Sequence, residues 1–429
     1  MKGDNTMKRI FSILLVFIML VGVAGCSTNT SKAPGGALVG DGGFRGDVMV
    51  MGTEMAPEEA PDGEPDVAPG EDVKTEEDAM MEAKPEQPRP GAGTLTAGEW
   101  KDANDLEFWT KLLNRNDWYQ LMESRNLYAN NVIPVYVHDR EGNPCYNVIV
   151  TLNGAQGTLY TARTGVDGKA WVLRNLNKTD DGAMNITVGN KSFEIPNEGV
   201  LDVTVETTGV KVESLDLMLM IDTTGSMSDE LSYLQKELEN VIERVADAGK
   251  TLSINVSVNF YRDETDDYVV KPFEFTSNIQ KAISNLNAQS ADGGGDYAEA
   301  VHKALNNAIK EHQWRNDAVK LMFFVLDAPP HRESEIKGIN TQMTETVKVA
   351  ADKGIRIIPV ASSGVDTETE FLLRSWAVMT GGTYTFLTNH SGVGGDHLEP
   401  TIGQYKVEKL NDCMTRIICE YCGLEYKAQ

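Results

Sequence analysis

Hydrophobic and polar positions change their spacing several times along this chain. From Ile10 to Ala24 the run is almost wholly apolar, broken by Ser12 and Gly22. From Ser27 to Thr96 no periodicity survives, and glycine, proline, alanine and acidic residues dominate. Trp100, Phe108, Trp109, Leu112, Leu113, Trp118, Tyr119 and Leu121 then recur at spacings of three and four. That spacing predicts a helical segment over residues 97–128, capped by Asn104 or Asp105 and packed on the domain that follows. An aromatic binding surface is the alternative. Between Asn131 and Thr208 short β-rich runs take over: Val132–Val137, Val148–Leu152, Ala170–Leu173, Asn185–Val188 and Leu201–Val205. The turns Glu141-Gly142-Asn143-Pro144, Asp167-Gly168 and Gly189-Asn190 separate them, which predicts a small antiparallel β-sandwich over residues 129–208.

From residue 209 to the end, strand and helix patterns alternate. Strands are expected at Leu215–Ile221, Thr251–Phe260, Leu321–Leu326, Ile355–Val360 and Thr383–Leu387, with an antiparallel edge strand at Tyr268–Phe275. Helices are expected at Glu230–Ala248, Ala298–His312, Glu333–Lys353, Glu368–Met379 and Tyr405–Tyr421. Such alternation predicts an α/β fold, a doubly wound and mostly parallel sheet covered on both faces.

Three segments of this region end in aspartates. The first strand runs into Asp222-Thr223-Thr224-Gly225-Ser226. A glycine loop reads Asp292-Gly293-Gly294-Gly295-Asp296, and another strand ends in Asp327-Ala328-Pro329-Pro330-His331. Ligands of open α/β sheets sit outside the carboxyl ends of the strands. Carboxylates and hydroxyls without nitrogen or sulfur suit a hard divalent cation. Each residue also has a plainer role: Asp222, Ser226, Ser228 and Asp296 as helix caps, Asp327 as a strand terminator. Asp263 and Glu264, after Tyr261-Arg262, read as a solvated rim. The loop Asn389–His397 carries His390, Asp396 and His397, and reads as a solvated glycine-rich loop or, less simply, a transition-metal site.

The region from Val210 to Lys406 resembles a von Willebrand factor A domain with a metal-ion-dependent adhesion site. The resemblance implies one divalent ion, Mg²⁺ or else Mn²⁺ or Ca²⁺. Its ligands would be Asp222, Thr224, Ser226, Asp327 and, in the place of the family's threonine, Asp296. Asp292 is the reserve ligand and His331 a rim residue. Asp296 adds a third negative charge, which tightens cation binding and weakens the ion's pull on a partner's carboxylate. The Asp-Thr-Thr-Gly-Ser-Met, Gly-Gly-Gly-Asp-x-x-Glu-Ala and Leu-Asp-Ala-Pro-Pro-His wording resembles the hemicentin-like branch. The turns around Asp139–Pro144 and Thr164–Ala170 resemble carboxypeptidase-regulatory-like modules, as a spacer or a ligand-binding module.

At the front, Lys8-Arg9, the apolar run and Val23-Ala24-Gly25-Cys26 read as a signal peptide over residues 1–26 and resemble a bacterial lipobox, with Cys26 lipidated. Residues 27–96 then read as an acidic stalk, with fifteen acidic and four basic residues between Asp41 and Pro90. Its Arg45-Gly46-Asp47 reads as a chance tripeptide. These features place the chain in the cell envelope, tied to the membrane by lipid, with its folded part outside the cytoplasm. A formal charge of −25 argues against a nucleic-acid partner. Cys145, Cys413, Cys419 and Cys422 allow three pairings into two disulfides. No serine–histidine–acid or cysteine–histidine arrangement points to an enzyme. The expected function is capture of a protein or other macromolecule through the Mg²⁺ site; the alternative is an envelope scaffold that the metal merely stabilises.

Overall fold

The computed structural model describes residues 91–206 and 211–427. The signal peptide, Cys26 and most of the acidic stalk lie outside the described residues. Among the described residues, no helix is long and apolar enough to cross a membrane.

The chain opens with strand β1 (Thr96–Trp100) and helices α1 (Leu106–Leu113) and α2 (Asn116–Arg125). The sandwich follows as β2 (Val132–His138), β3 (Ile149–Gly154), β4 (Gly157–Arg163), β5 (Lys169–Leu173), β6 (Ala183–Val188), β7 (Lys191–Glu194) and β8 (Leu201–Thr204). The α/β part contains β9 (Ser214–Asp222), α3 (Ser228–Ala248), β10 (Ser253–Tyr261), β11 (Val270–Lys271), α4 (Ile279–Asn287) and α5 (Val301–Asn306). It continues with β12 (Val319–Leu326), α6 (Ile339–Lys353), β13 (Ile355–Ala361), α7 (Thr367–Thr380), β14 (Tyr384–Leu387), β15 (Glu408–Lys409) and α8 (Leu410–Cys422).

The main sheet has eight strands in the order β11-β10-β9-β12-β13-β14-β1-β15. Its five central strands, from β10 to β14, run parallel, and the edges are antiparallel. All nine residues of β9 are buried. Leu215, Leu217, Leu219 and Ile221 enter one apolar core, while Met218 and Met220 enter the other. The period-2 geometry of a strand divides one unbroken apolar run between two faces. Helix α3 seals the first face with Leu231, Leu234, Leu238, Val241, Ile242 and Val245, and α8 adds Leu410, Met414, Ile417 and Ile418. This is the doubly wound α/β arrangement expected from the sequence.

The ends differ from expectation in one important place. Residues 91–100 belong to the folded domain rather than to a stalk and a helix. Leu95 and Ala97 are fully buried, and β1 pairs with both β14 and β15. Glu237 of α3, itself fully buried, accepts the backbone N–H groups of Gly93, Thr94 and Leu95 at 2.8, 2.7 and 3.0 Å. The strand Thr-Ala-Gly-Glu-Trp carries a single bulky apolar side chain, so backbone pairing rather than a hydrophobic pattern makes it a strand.

Helix α1 is capped by Asp105, which accepts Phe108 N–H at 3.0 Å. The helical pair packs on α7 of the α/β domain and also touches the sandwich that follows it, where Lys178 lies 5.4 Å from the Tyr119 ring centre and pairs with Glu123 at 2.5 Å. Trp109 and Trp118 are fully buried, and the Arg374 guanidinium lies 5.2 and 5.1 Å from their ring centres. Arg374 also binds Asp102 through two nitrogens, at 2.6 and 2.9 Å, and Glu370 at 2.9 Å. The aromatic set is therefore core, not an exposed binding surface.

The sandwich consists of a three-stranded sheet β5-β2-β8 and a four-stranded sheet β4-β3-β6-β7. The expected all-antiparallel pattern fails at one pairing: β2 and β8 are parallel. Strands β4 and β7 complete it over residues to which the sequence reading assigned no element. Nor is the sandwich a detached spacer. Tyr160 donates to Met379 O at 2.5 Å, Arg163 Nε to Asp352 O at 2.6 Å, and Arg356 to Arg163 O at 2.7 Å. Gly381 ends α7 at φ +67°, and a Cβ there would stand 2.6 Å from the Trp171 ring. Cys413, Cys419 and Cys422 are buried thiols of α8, and Cys145 is buried in the sandwich.

Replacing Arg374 by alanine strands Asp102 and Glu370 without their counter-charge. Breaking a buried pair in this way costs about 3–5 kcal/mol. Urea unfolding should register a loss of that order for Arg374→Ala; a loss below about 1 kcal/mol, the value of an exposed pair, would show that the network contributes little.

Candidate metal centre

Parallel register sets the site. Asp222 stands level with Tyr261 of β10, and Ile221 with Val325 of β12. Asp327 follows directly after β12, so the loops after β9, β10 and β12 leave the sheet at one edge. Asp222 is fully buried and Asp327 is 3 % exposed. Thr224 donates its backbone N–H and its hydroxyl to Asp222 Oδ1, at 2.9 and 2.7 Å. The Thr224 and Ser226 hydroxyls are 3.1 Å apart. Thr224 is buried and Ser226 exposed, so the cluster meets solvent at Ser226. The structure thus brings together Asp222, Thr224, Ser226 and Asp327.

The other oxygens are unmet. Asp222 Oδ2, Asp327 Oδ1 and Glu299 Oε2 are buried without a hydrogen-bond partner among the described residues. A buried polar atom left unpaired costs about 1–3 kcal/mol, and a charged one more. Asp216 of the same strand is the contrast: equally buried, it receives Arg315 Nε and Arg315 N–H, each at 2.7 Å. Burial, followed for Asp327 by the charge of Asp222, holds the Asp222 and Asp327 carboxyls above the ordinary carboxylate range. Glu299 is pushed up to about 9, by burial first and then by the charges of Asp222, Asp263, Asp327 and Asp266. Orphaned buried carboxylate oxygens beside two hydroxyls fit a divalent cation by donor chemistry. Among the described residues, no three histidine, cysteine, aspartate or glutamate side chains already converge as a ligating group.

Asp296 is exposed, and its charge acts on His331. It caps no helix, because α5 starts at Val301 rather than at Tyr297. Asp292 is also exposed and shapes the loop: its N–H donates to Thr223 O at 3.1 Å, and its carboxylate accepts Gly293 N–H at 2.9 Å. His331 is buried against Asp263, Nε2 to Oδ1 at 2.7 Å, which raises its pKa against the effect of burial. Asp263 is 5 % exposed, so the expected solvated rim is a buried support at that position. Glu264 remains exposed and faces His302 at 3.1 Å.

The loop with His390, Asp396 and His397 is polar and exposed except at His397, which is pinned 3.0 Å from the buried Glu230 of α3. Glu230 in turn accepts Ser363 N–H at 3.2 Å.

Two contributors were not apparent from sequence. Glu299 was visible only as a letter of the glycine-loop motif. Arg125 of α2 donates to His331 O at 2.8 Å, Pro330 O at 3.0 Å and Glu368 Oε1 at 2.7 Å. It clamps the loop that carries Asp327 from about two hundred residues away in sequence, and no local pattern announces that.

Comparison with known proteins places this edge in a family. Residues 216–386 match the model of the von Willebrand factor A domain, so this part of the chain is such a domain. An ariadne-like RING finger protein of Acanthamoeba polyphaga mimivirus is 31 % identical over 126 residues, covering 29 % of this chain and 12 % of that protein. The alpha-protein kinase vwkA of Dictyostelium discoideum is 24 % identical over 120 residues, covering 28 % of this chain and 19 % of the kinase. The chain therefore spans less than a fifth of the length of either relative. The crystal structure of the conserved hypothetical protein BatB from Bacteroides thetaiotaomicron is 15 % identical with a TM-score of 0.27, covering 49 % of this chain and 87 % of that one.

The pH dependence of the ion-free protein follows from Glu299. Its native value near 9 lies above the ordinary value of about 4, so the native state holds a proton that the unfolded chain has released. Stability is then greatest below about pH 4 as far as this group is concerned, and falls as pH rises through about 9. The melting temperature in EDTA should drop between pH 6 and 9, and saturating Mg²⁺ should shrink the drop. A melting temperature in EDTA that climbs over this range would contradict the assignment.

Proposed function

We propose that this protein is a lipid-anchored envelope protein whose von Willebrand factor A domain binds a protein partner through a divalent ion. The ion is Mg²⁺, or Mn²⁺ or Ca²⁺ in its place. Asp222, Thr224, Ser226 and Asp327 hold it, and the glycine-rich loop supplies the remaining protein ligand. When bound, it offers a Lewis-acidic point at the Ser226 opening to an oxygen of the partner. The observation that carries this reading is the pair of orphaned buried oxygens, Asp222 Oδ2 and Asp327 Oδ1, beside two hydroxyls at a solvent-facing sheet edge. The family match is consistent with an interaction role. The anchor rests on the sequence around Cys26.

The scaffold reading has its own support. Arg125 and Glu230 already tie the loops around the site to distant parts of the fold, so an ion there serves equally as one more clamp.

Crosslinking pull-down from intact cells, with and without EDTA, separates the two. Asp222→Ala should abolish Mg²⁺-dependent capture of a partner while leaving the circular dichroism spectrum native. Under the scaffold reading, Mg²⁺ at one hundred times its Kd stabilises the wild type by about 2.7 kcal/mol, yet no partner responds to EDTA. Identical capture with and without EDTA would reject metal-mediated binding.

A further inference from the structure

We infer that Glu299, rather than Asp296, is the glycine-rich loop's ligand to the cation. This rests on the metal-centre reading above and names the residue that reading leaves open.

The loop delivers Glu299 to the site by backbone pairing. Glu299 N–H donates to Pro329 O at 3.0 Å, and Glu299 forms a parallel bridge with Pro330, just after Asp327. On the other side, Gly225 N–H donates to Gly293 O at 3.2 Å, which ties the glycine loop to the Asp222–Ser226 loop. Glu299 is therefore held between the two segments that carry the other ligands. It is 3 % exposed, and its Oε2 has no partner among the described residues. Asp296 is exposed to solvent, where a carboxylate needs no counter-ion.

Gly294 places the Glu299 carboxylate next to a proposed ligand. A Cβ at Gly294 would lie 3.4 Å from Glu299 Oε1 and 3.5 Å from Thr224 Cβ, in ordinary van der Waals contact with both, so Glu299 and Thr224 flank the same glycine. Its φ of +73° also disfavours any other residue there.

The chemical consequence is an ion whose charge is more than neutralised by its ligands. Three carboxylates, Asp222, Asp327 and Glu299, outweigh one divalent charge. The open position then favours water or a neutral carbonyl, amide or hydroxyl oxygen of the partner over its carboxylate.

Mn²⁺ binding tests this on the detergent-solubilised full-length protein, with free Mn²⁺ read by electron paramagnetic resonance and Mg²⁺ as competitor. Glu299→Gln keeps the shape and removes the charge; it should weaken Mn²⁺ by about tenfold or more, at least the effect of losing an outer-shell partner. Asp296→Asn should stay within about threefold of the wild type, under 0.7 kcal/mol at 1.4 kcal/mol per decade. Glu299→Gln within the same threefold, or Asp296→Asn losing as much as Glu299→Gln, overturns the inference. Asp222→Ala separates the two levels. If it binds Mn²⁺ like the wild type, the metal-centre reading itself fails; if it loses Mn²⁺ while Glu299→Gln does not, the Glu299 assignment alone fails. Should Glu299→Gln not fold by circular dichroism, Glu299→Asp carries the test under the same thresholds, because it keeps the charge but shortens the reach.

Discussion

The register of β9 against β10 and β12 is the constraint on which the site depends. It puts the carboxyl ends of three buried strands level with one another, and the chain places acids in the loops that leave them. Two aspartates of β9 show what this means. Asp216, near the strand's start, meets Arg315 and is a settled buried ion pair. Asp222, at its end, meets two groups of Thr224 and the Tyr261 hydroxyl, and Asp327 meets the Ser226 hydroxyl, but among the described residues neither is given a cationic partner. The contrast between the arginine-paired aspartate and the other two is what supports the proposal of a bound cation. Burial first, and then the charges of the neighbouring acids, push the Glu299 carboxyl up to about 9.

The domain that builds this edge is larger than the stretch that matches the family. β1 adds a strand at one side of the sheet, and Glu237 on α3 collects three backbone N–H groups of the segment leading into it. Arg374 joins α7 to α1 and α2, and Arg125 reaches from α2 to the carbonyls of Pro330 and His331. The helical pair is thus wired to the loop bearing Asp327, and β1 and Glu237 bind the entering chain to the helix that follows Asp222. Such wiring makes the site sensitive to segments that carry none of its ligands.

The central strands and helices were legible because long apolar runs and helical spacing leave few alternatives. Leu215–Ile221 and Leu321–Leu326 can hardly be anything but buried strands. The hydroxyl and carboxylate set of the first and third loops was legible for the same reason, since strand ends fix where those residues lie. β1 was hidden because Gly98 and Ala97 give it almost no pattern. The glycine loop was harder still. Three successive glycines remove the side chains from which a register is read, so which acid of that loop is carried inward was not legible. The backbone stays irregular as far as Ala300, and its pairing with Pro329 and Pro330 brings Glu299 against the loop that bears Asp327. Arg125 lay beyond any local reading, because its partners belong to a different part of the chain.

The charge of the site would also limit what a bound ion could do. An ion held by two carboxylates and hydroxyls would be formally neutral, and its open position could still take an incoming anion. With Glu299 as a third carboxylate in the shell, as proposed, the net charge would turn negative, and the exposed Asp292 and Asp296 on the same loop would add to it. At a separation of 4 Å, two unit charges still interact by about 4 kcal/mol at the effective dielectric of a protein surface. An acidic partner group therefore approaches against repulsion that the ion no longer cancels, whereas a neutral oxygen pays no such cost. The chain's own formal charge of −25 extends the same bias to the encounter, favouring partners that are neutral or basic where they touch this edge.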